Sequence, residues 1–261
     1  MNLKADLSVF KNDFDSAEKY YRDAVIVSKQ TLKALMKLCI FLRSQSRHAE
    51  AEEIFQIVTN SEGKTAQIYL LMADYYLIGE QYDKAEHALK YAHNIEPEDI
   101  SIQMHLIEYY ISVEKINVAE KMLLKLAEGQ NNIFIFMTLA DVFILNQKLD
   151  EAKEIINRIK NGIKKPMAEF ELIQGKYWFY SGKPVFAASF LKAALDLKPG
   201  LVNTRYLLGI TNLLNGKIKL SENTLIQTLM IQPDHHDSLL LISVLLYKKG
   251  EHRLSLDYLD R

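Results

Sequence analysis

Small residues recur along this chain at an almost constant interval. Ala17, Ala51, Ala85, Ala119, Ala152, Ala187, Ser221 and Ser255 are separated by 34, 34, 34, 33, 35, 34 and 34 residues. A period of this length has to be read before any local structure is assigned, because it fixes the supersecondary unit. Four positions after these anchors stand Tyr21, Phe55, Leu89, Leu123, Ile156, Leu191, Leu225 and Leu259, a spacing that places both columns on one face of a helix. Twelve positions before them lies a second restricted column: Ala5, Cys39, Ala73, Ile107, Ala140, Gly175, Gly209 and Ser243. Seven of those eight are small, as two closely crossing antiparallel helices require.

The remaining columns complete the unit. An apolar residue precedes the small column in most repeats (Leu38, Met72, Leu106, Leu139, Leu208, Ile242), and a bulky one follows three residues after it (Leu42, Tyr76, Tyr110, Phe143, Trp178, Leu246). These ridges bury against the partner helix. Turn residues fall between the two helices, with Gly79 in one repeat and Gly182, Gly216 and Gly250 at one equivalent place in three others. Pro97, Pro199 and Pro233, twelve residues past their anchors, stop the second helix and set the exit of the chain.

These columns resemble the tetratricopeptide repeat (TPR), a 34-residue helix-turn-helix with a small residue early, an alanine in the second helix and a terminal proline. The fullest match runs from Ala66 to Asp99, with Tyr69, Met72, Ala73, Tyr76, Tyr82, Ala85, Leu89, Ala92 and Pro97. The resemblance covers the whole chain and implies an all-α fold, an α-solenoid in which antiparallel helix pairs wind into a right-handed superhelix. About eight repeats are expected in a single array over 1–261: 1–31, 32–65, 66–99, 100–132, 133–167, 168–201, 202–235 and 236–261, the first and last incomplete. Each helix should be about 14 residues, roughly 21 Å long. Asn212, Gln174, Ile107 and Pro184 depart from the pattern, so local packing differences are expected in the fourth, sixth and seventh repeats. No capping element follows Asp260, which predicts either a segment of a longer array or an end covered by a partner or by self-association.

Composition excludes several classes of function. Lys plus Arg (32) nearly balances Asp plus Glu (33), so no global field favours nucleic acid or an anionic membrane, and any charge-based recognition must come from local pattern. No apolar run approaches the roughly 20 residues of a membrane span. The first residues lack the basic start and apolar core of a signal peptide, which reads as cytoplasmic as written and as periplasmic if a signal lies upstream. A single cysteine, Cys39, rules out an intrachain disulfide framework, and its place in the small column marks it as a packed thiol. His235 and His236 read as a solvated loop after Pro233, and acid pairs such as Glu52 and Glu53 as ordinary solvation. No HExxH, phosphate-binding glycine loop or CxxC is present. The chain is therefore read as non-enzymatic, with no cofactor and no metal.

In the family that the chain resembles, first helices line a concave surface where ligands lie. Taking the first-helix face not used in packing gives one apolar column, Met36, Leu70, Met104, Met137, Leu172, Tyr206 and Leu240. A neighbouring column is acidic in three successive repeats, Asp74, Glu108 and Asp141, bracketed by Ile40 and Lys176, with Phe179 one turn beyond. Flexible thioethers adapt to apolar side chains and carboxylates orient a cation, so the expected partner is a protein or peptide segment that is apolar and carries Lys or Arg. The carboxylate clamp of the family's chaperone-tail binders is not reproduced, since the equivalent places hold Leu70, Asp74, His105, Glu108, Thr138 and Asp141. The resulting reading is a protein-protein interaction scaffold or adaptor. Its alternatives are a stretch of a longer bacterial array of the exopolysaccharide-export or protein-sorting type, and the substrate-recruiting arm of an enzyme whose catalytic domain lies elsewhere.

Overall fold

The computed structural model describes residues 1–27, 32–61, 65–129 and 131–261. Among the described residues every regular element is an α-helix, and there are sixteen. In chain order they are α1 (Asn2–Phe10), α2 (Phe14–Val27), α3 (Leu32–Ser44), α4 (His48–Ser61), α5 (Ala66–Ile78), α6 (Tyr82–Ile95), α7 (Ile100–Ser112) and α8 (Ile116–Gly129). The series continues with α9 (Ile133–Leu145), α10 (Leu149–Gly162), α11 (Ala168–Tyr180), α12 (Pro184–Leu197), α13 (Val202–Leu214), α14 (Ile218–Ile231), α15 (His236–Lys248) and α16 (His252–Leu259). Apart from the short α1 and α16, first helices have 13 residues and second helices 14. The expected length and pairing are thus met, and the fold is an all-α solenoid of the tetratricopeptide type.

The chain forms two compact bodies, Met1–Lys115 and Ile116–Arg261. Within each, helices pack pairwise in sequence order, α1 on α2 through α5 on α6 in the first, and α9 on α10 through α15 on α16 in the second.

The small columns sit where the helices cross. All eight anchors and all eight residues of the earlier column are buried. Gly175 shows why size is restricted there: a Cβ on it would lie 2.6 Å from Leu191 Cδ2. At Gly209 the distance to Leu225 Cδ2 would be 2.8 Å. Where the anchor is serine, its hydroxyl crosses to the partner helix. Ser221 Oγ donates to the Gly209 carbonyl at 2.7 Å, and Ser255 Oγ to that of Ser243 at 2.8 Å. Cys39 makes the reverse link, its thiol 3.9 Å from the Ala51 carbonyl oxygen. Burial pushes that thiol up to about 12, so it is an inert packed group.

One device joins first to second helix in every repeat. The residue five before the anchor has positive φ: Asn12, Ser46, Glu80, Glu114, Gln147, Gly182, Gly216 and Gly250, between 54° and 84°. The next N–H returns to the carbonyl five residues back, as in Arg47 to Leu42 (2.9 Å), Lys115 to Tyr110 (2.8 Å) and Lys217 to Asn212 (2.9 Å). This is a Schellman closure with a left-handed residue at its corner, which satisfies carbonyls the helix leaves open. Gly79 is not that corner; its φ is −96° and the following Glu80 turns the chain. Gly79 lacks a side chain for a different reason, because a Cβ there would overlap the Arg43 guanidinium.

The irregular positions are absorbed locally. Asn212 is buried and donates Nδ2 to Thr224 Oγ1 at 3.4 Å. Ile107 is fully buried. Pro184 occupies the first turn of α12, where a missing N–H costs nothing. The three terminal prolines each follow directly on the C-cap residue of their second helix, Glu96, Lys198 and Gln232. His235 is buried rather than solvated: Nδ1 caps α15 by accepting from Ser238 N at 3.2 Å, and its ring lies 5.1 Å from that of Tyr206. An imidazole can replace the usual Asp or Ser cap because its unprotonated nitrogen is an acceptor.

Candidate peptide-binding face

In the first body the residues expected to meet a ligand come from three first helices. Met36 and Ile40 lie on α3, Leu70 and Asp74 on α5, and Met104 and Glu108 on α7. Met36, Leu70 and Met104 are half-buried, while Ile40, Asp74 and Glu108 are exposed. Leu70 rests on a small core of Ala66, Ala92 and Ile102, which fixes its position while leaving one side open. Although Asp74 reaches solvent, the protein around its carboxyl partly desolvates it and raises it above its ordinary range, with His105 pulling the other way. A cation from a ligand would remove that penalty. Neither Asp74 nor Glu108 has a basic partner within ion-pair distance among the described residues.

The second body treats its share of the columns differently. Met137 is buried and contributes packing rather than surface. Lys176 Nζ donates to both carboxylate oxygens of Asp141 at 2.8 Å, so that acid is already neutralised. Phe179 is half-buried, its ring 5.4 Å from that of Tyr180. Tyr206 packs on the core formed by Leu225, Leu239 and Ile242. On the first helices of this body, exposed apolar groups include Phe134, Leu240, Val244 and Tyr247.

Two features escape a reading of the sequence. The first is an ion pair repeated between successive units. The acid directly after an anchor meets the base that follows the next left-handed corner: Glu18 with Arg47 (2.5 Å), Glu86 with Lys115 (2.6 Å) and Glu120 with Lys148 (2.5 Å). Lys115, joined by Lys90, holds the Glu86 carboxyl down at about 2. Glu52, expected to be merely solvated, bonds Lys84 at 2.5 Å. The signal was present as a recurrent spacing of 28 or 29 residues between opposite charges, but only the stacking of repeats gives it meaning.

The second is a cleft of about 390 Å³ in the second body, beside the segment that carries the longest interval between anchors. Its lining includes Lys160, Lys164 and Lys165 together with Phe170, Glu171 and Gln174. Gln174, irregular in the repeat pattern, donates to Glu171 at 3.4 Å, and burial raises the Glu171 carboxyl. No group of three or more His, Cys, Asp or Glu able to hold a metal ion occurs among the described residues. No described helix is long and apolar enough to cross a membrane.

The architecture is an all-α array of paired helices of the tetratricopeptide type. Solved structures agree on the fold at low sequence identity. A tetratricopeptide repeat protein from Parabacteroides merdae superposes with a TM-score of 0.72 at 17% identity, over 93% of this chain and 96% of that one. TTC0263, a thermophilic TPR protein of Thermus thermophilus, gives 0.62 at 18% identity over 70% of this chain and 99% of its own. In the APC/C hetero-tetramer Cut9–Hcn1 the similarity covers 98% of this chain at a TM-score of 0.67 and 14% identity, and this chain spans 51% of the length of that one. No protein-family description matches the sequence, and no curated protein is similar to it.

Proposed function

We propose that the protein is a non-catalytic scaffold that takes an extended protein segment on the first-helix face, with the primary contact on α3, α5 and α7. The observation that carries this reading is the pairing of two exposed carboxylates without basic partners, Asp74 and Glu108, with half-open Met36, Leu70 and Met104 beside them. A ligand with alternating apolar and basic residues would cover the thioethers and neutralise the acids together. Asp141 plays a lesser part, since Lys176 already satisfies it.

The test is affinity capture followed by titration of basic, apolar peptides from the captured partner. Replacing Asp74 and Glu108 together by Ala should weaken binding with circular dichroism unchanged, while Asp141→Ala should leave affinity within about twofold. Equal affinity of the Asp74/Glu108 double variant and the parent would sink the assignment. Membership of a longer bacterial array for exopolysaccharide export or protein sorting is the alternative. It rests on the same repeat grammar, and an upstream signal or lipidation motif in the complete gene would support it.

A further inference from the structure

The starts of the second helices change character within the second body. The five residues beginning at the left-handed corner read NDFDS, SRHAE, EQYDK, EKINV and QKLDE in the first five repeats, with eight acids against four bases. In the last three they read GKPVF, GKIKL and GEHRL, with four bases against one acid. The apolar residues in these last three segments are open to solvent: Val185 is 68% exposed, Phe186 55%, and Leu220 and Leu254 each 48%. Lys217, Lys219 and Arg253 have no acidic partner among the described residues, and Lys183 lies only over the Trp178 ring, 5.2 Å from its centroid.

These three segments form one edge. Asn215 Nδ2, at the α13–α14 turn, donates to the Pro184 carbonyl at the start of α12 at 3.0 Å. Lys249, at the α15–α16 turn, pairs with Glu222 near the start of α14. Neighbouring turns therefore touch, and they bring their apolar and basic residues side by side.

We propose that this edge docks on an anionic phospholipid surface, as a function separate from ligand binding on the first helices. Aliphatic and aromatic side chains would enter the interface while lysines and arginine meet the headgroups, and the two contributions together give binding that neither alone supplies. The geometry favours a surface over a peptide. Exposed groups stand at three adjacent helix starts and pair apolar side chains with charges mainly of one sign, which suits an anionic layer, whereas a peptide needs alternating pockets. No membrane-crossing helix is needed for such attachment.

The experiment is vesicle co-sedimentation of the full chain with phosphatidylcholine vesicles with and without phosphatidylserine, at low and high salt. Binding should require phosphatidylserine and fall with salt. Lys217→Gln with Lys219→Gln should lower partitioning about 30-fold, from about fivefold per lysine. Leu220→Ser with Leu254→Ser should lower it about tenfold through lost apolar burial. Lys121→Gln with Lys125→Gln, which removes equal charge from α8, should retain parental binding. Circular dichroism on each variant separates lost docking from lost folding. The proposal is overturned if the parent fails to sediment with phosphatidylserine vesicles, if an acidic amphipathic peptide binds the edge and vesicles do not, or if the edge and α8 variants behave alike.

Discussion

Gly175→Ala tests the helix-crossing argument most directly. The added Cβ would lie 2.6 Å from Leu191 Cδ2, 2.8 Å from its Cγ and 3.3 Å from its backbone nitrogen. Carbon atoms are comfortable at about 3.5 to 4.0 Å, so relief needs a movement of roughly 1 Å. Leu191 is fully buried, so its side chain can yield only by displacing its neighbours, and its backbone nitrogen belongs to α12 and cannot move alone. Overpacking of this kind costs about 1 to 3 kcal/mol. Alanine recovers about 1 kcal/mol of helix propensity, leaving a net loss of up to about 2 kcal/mol. Gly209→Ala meets only side-chain atoms of Leu225, the nearest at 2.8 Å, and should lose less. Gly129→Ala has nothing within 4 Å and should be neutral or slightly stabilising. Urea unfolding followed at 222 nm gives the order: the midpoint should fall most for Gly175→Ala, less for Gly209→Ala and not for Gly129→Ala. A Gly175→Ala midpoint at or above the parent's would refute the claim that the small column is set by helix approach.

Other perturbations probe the turns, the anchors and the inter-repeat pairs. Gly182→Ala places a Cβ at φ 68° with open space around it, so it should cost about 1 kcal/mol by backbone strain alone, read in the same urea assay. Glu80→Gly, at φ 54°, relieves the same strain and should be neutral or stabilising. Ala85→Leu should lower stability by about 1 to 3 kcal/mol, since Ala85 is fully buried; an unchanged melting temperature would contradict the repeat register. The Glu86 carboxyl is lower in the folded chain than in the unfolded one, so its stabilisation is present above the ordinary carboxylate value of about 4.5 and is lost as pH falls toward about 2. With both lysines about half exposed, the effect should be about 1 kcal/mol or less, and Glu86→Gln should flatten the melting temperature across that window.

The fold was legible because packing in a repeat array is local. Ala85 and Leu89 need only face Ala73 and Tyr76 about a dozen residues away, and the same demand returns about every 34 residues, so each column is sampled eight times. The left-handed corner was half visible. Three glycines announced it, whereas Asn12, Ser46, Glu80, Glu114 and Gln147 adopt the same geometry without a compositional mark. Gly79 misled for the complementary reason, being needed for room beside Arg43 rather than for backbone freedom. His235 was misread because proximity to Pro233 suggested a solvated turn, while its ring in fact closes the start of α15.

The candidate site was less legible, because exposure is not a property of the sequence. Met104 and Met137 occupy the same column, yet one is half open and the other buried. Asp74 and Asp141 also share a column, and only the neighbouring helix decides that Lys176 reaches one of them. The sequence by itself determined the period, the helix pairs, the small residues at each crossing and the absence of known catalytic motifs, since these follow from short-range sterics. Tertiary structure decided which carboxylates stay unpaired, which methionines reach solvent and how successive turns align into one edge. Those depend on distances between residues some 30 positions apart, and a distance across a packed interface is set only when the helices dock.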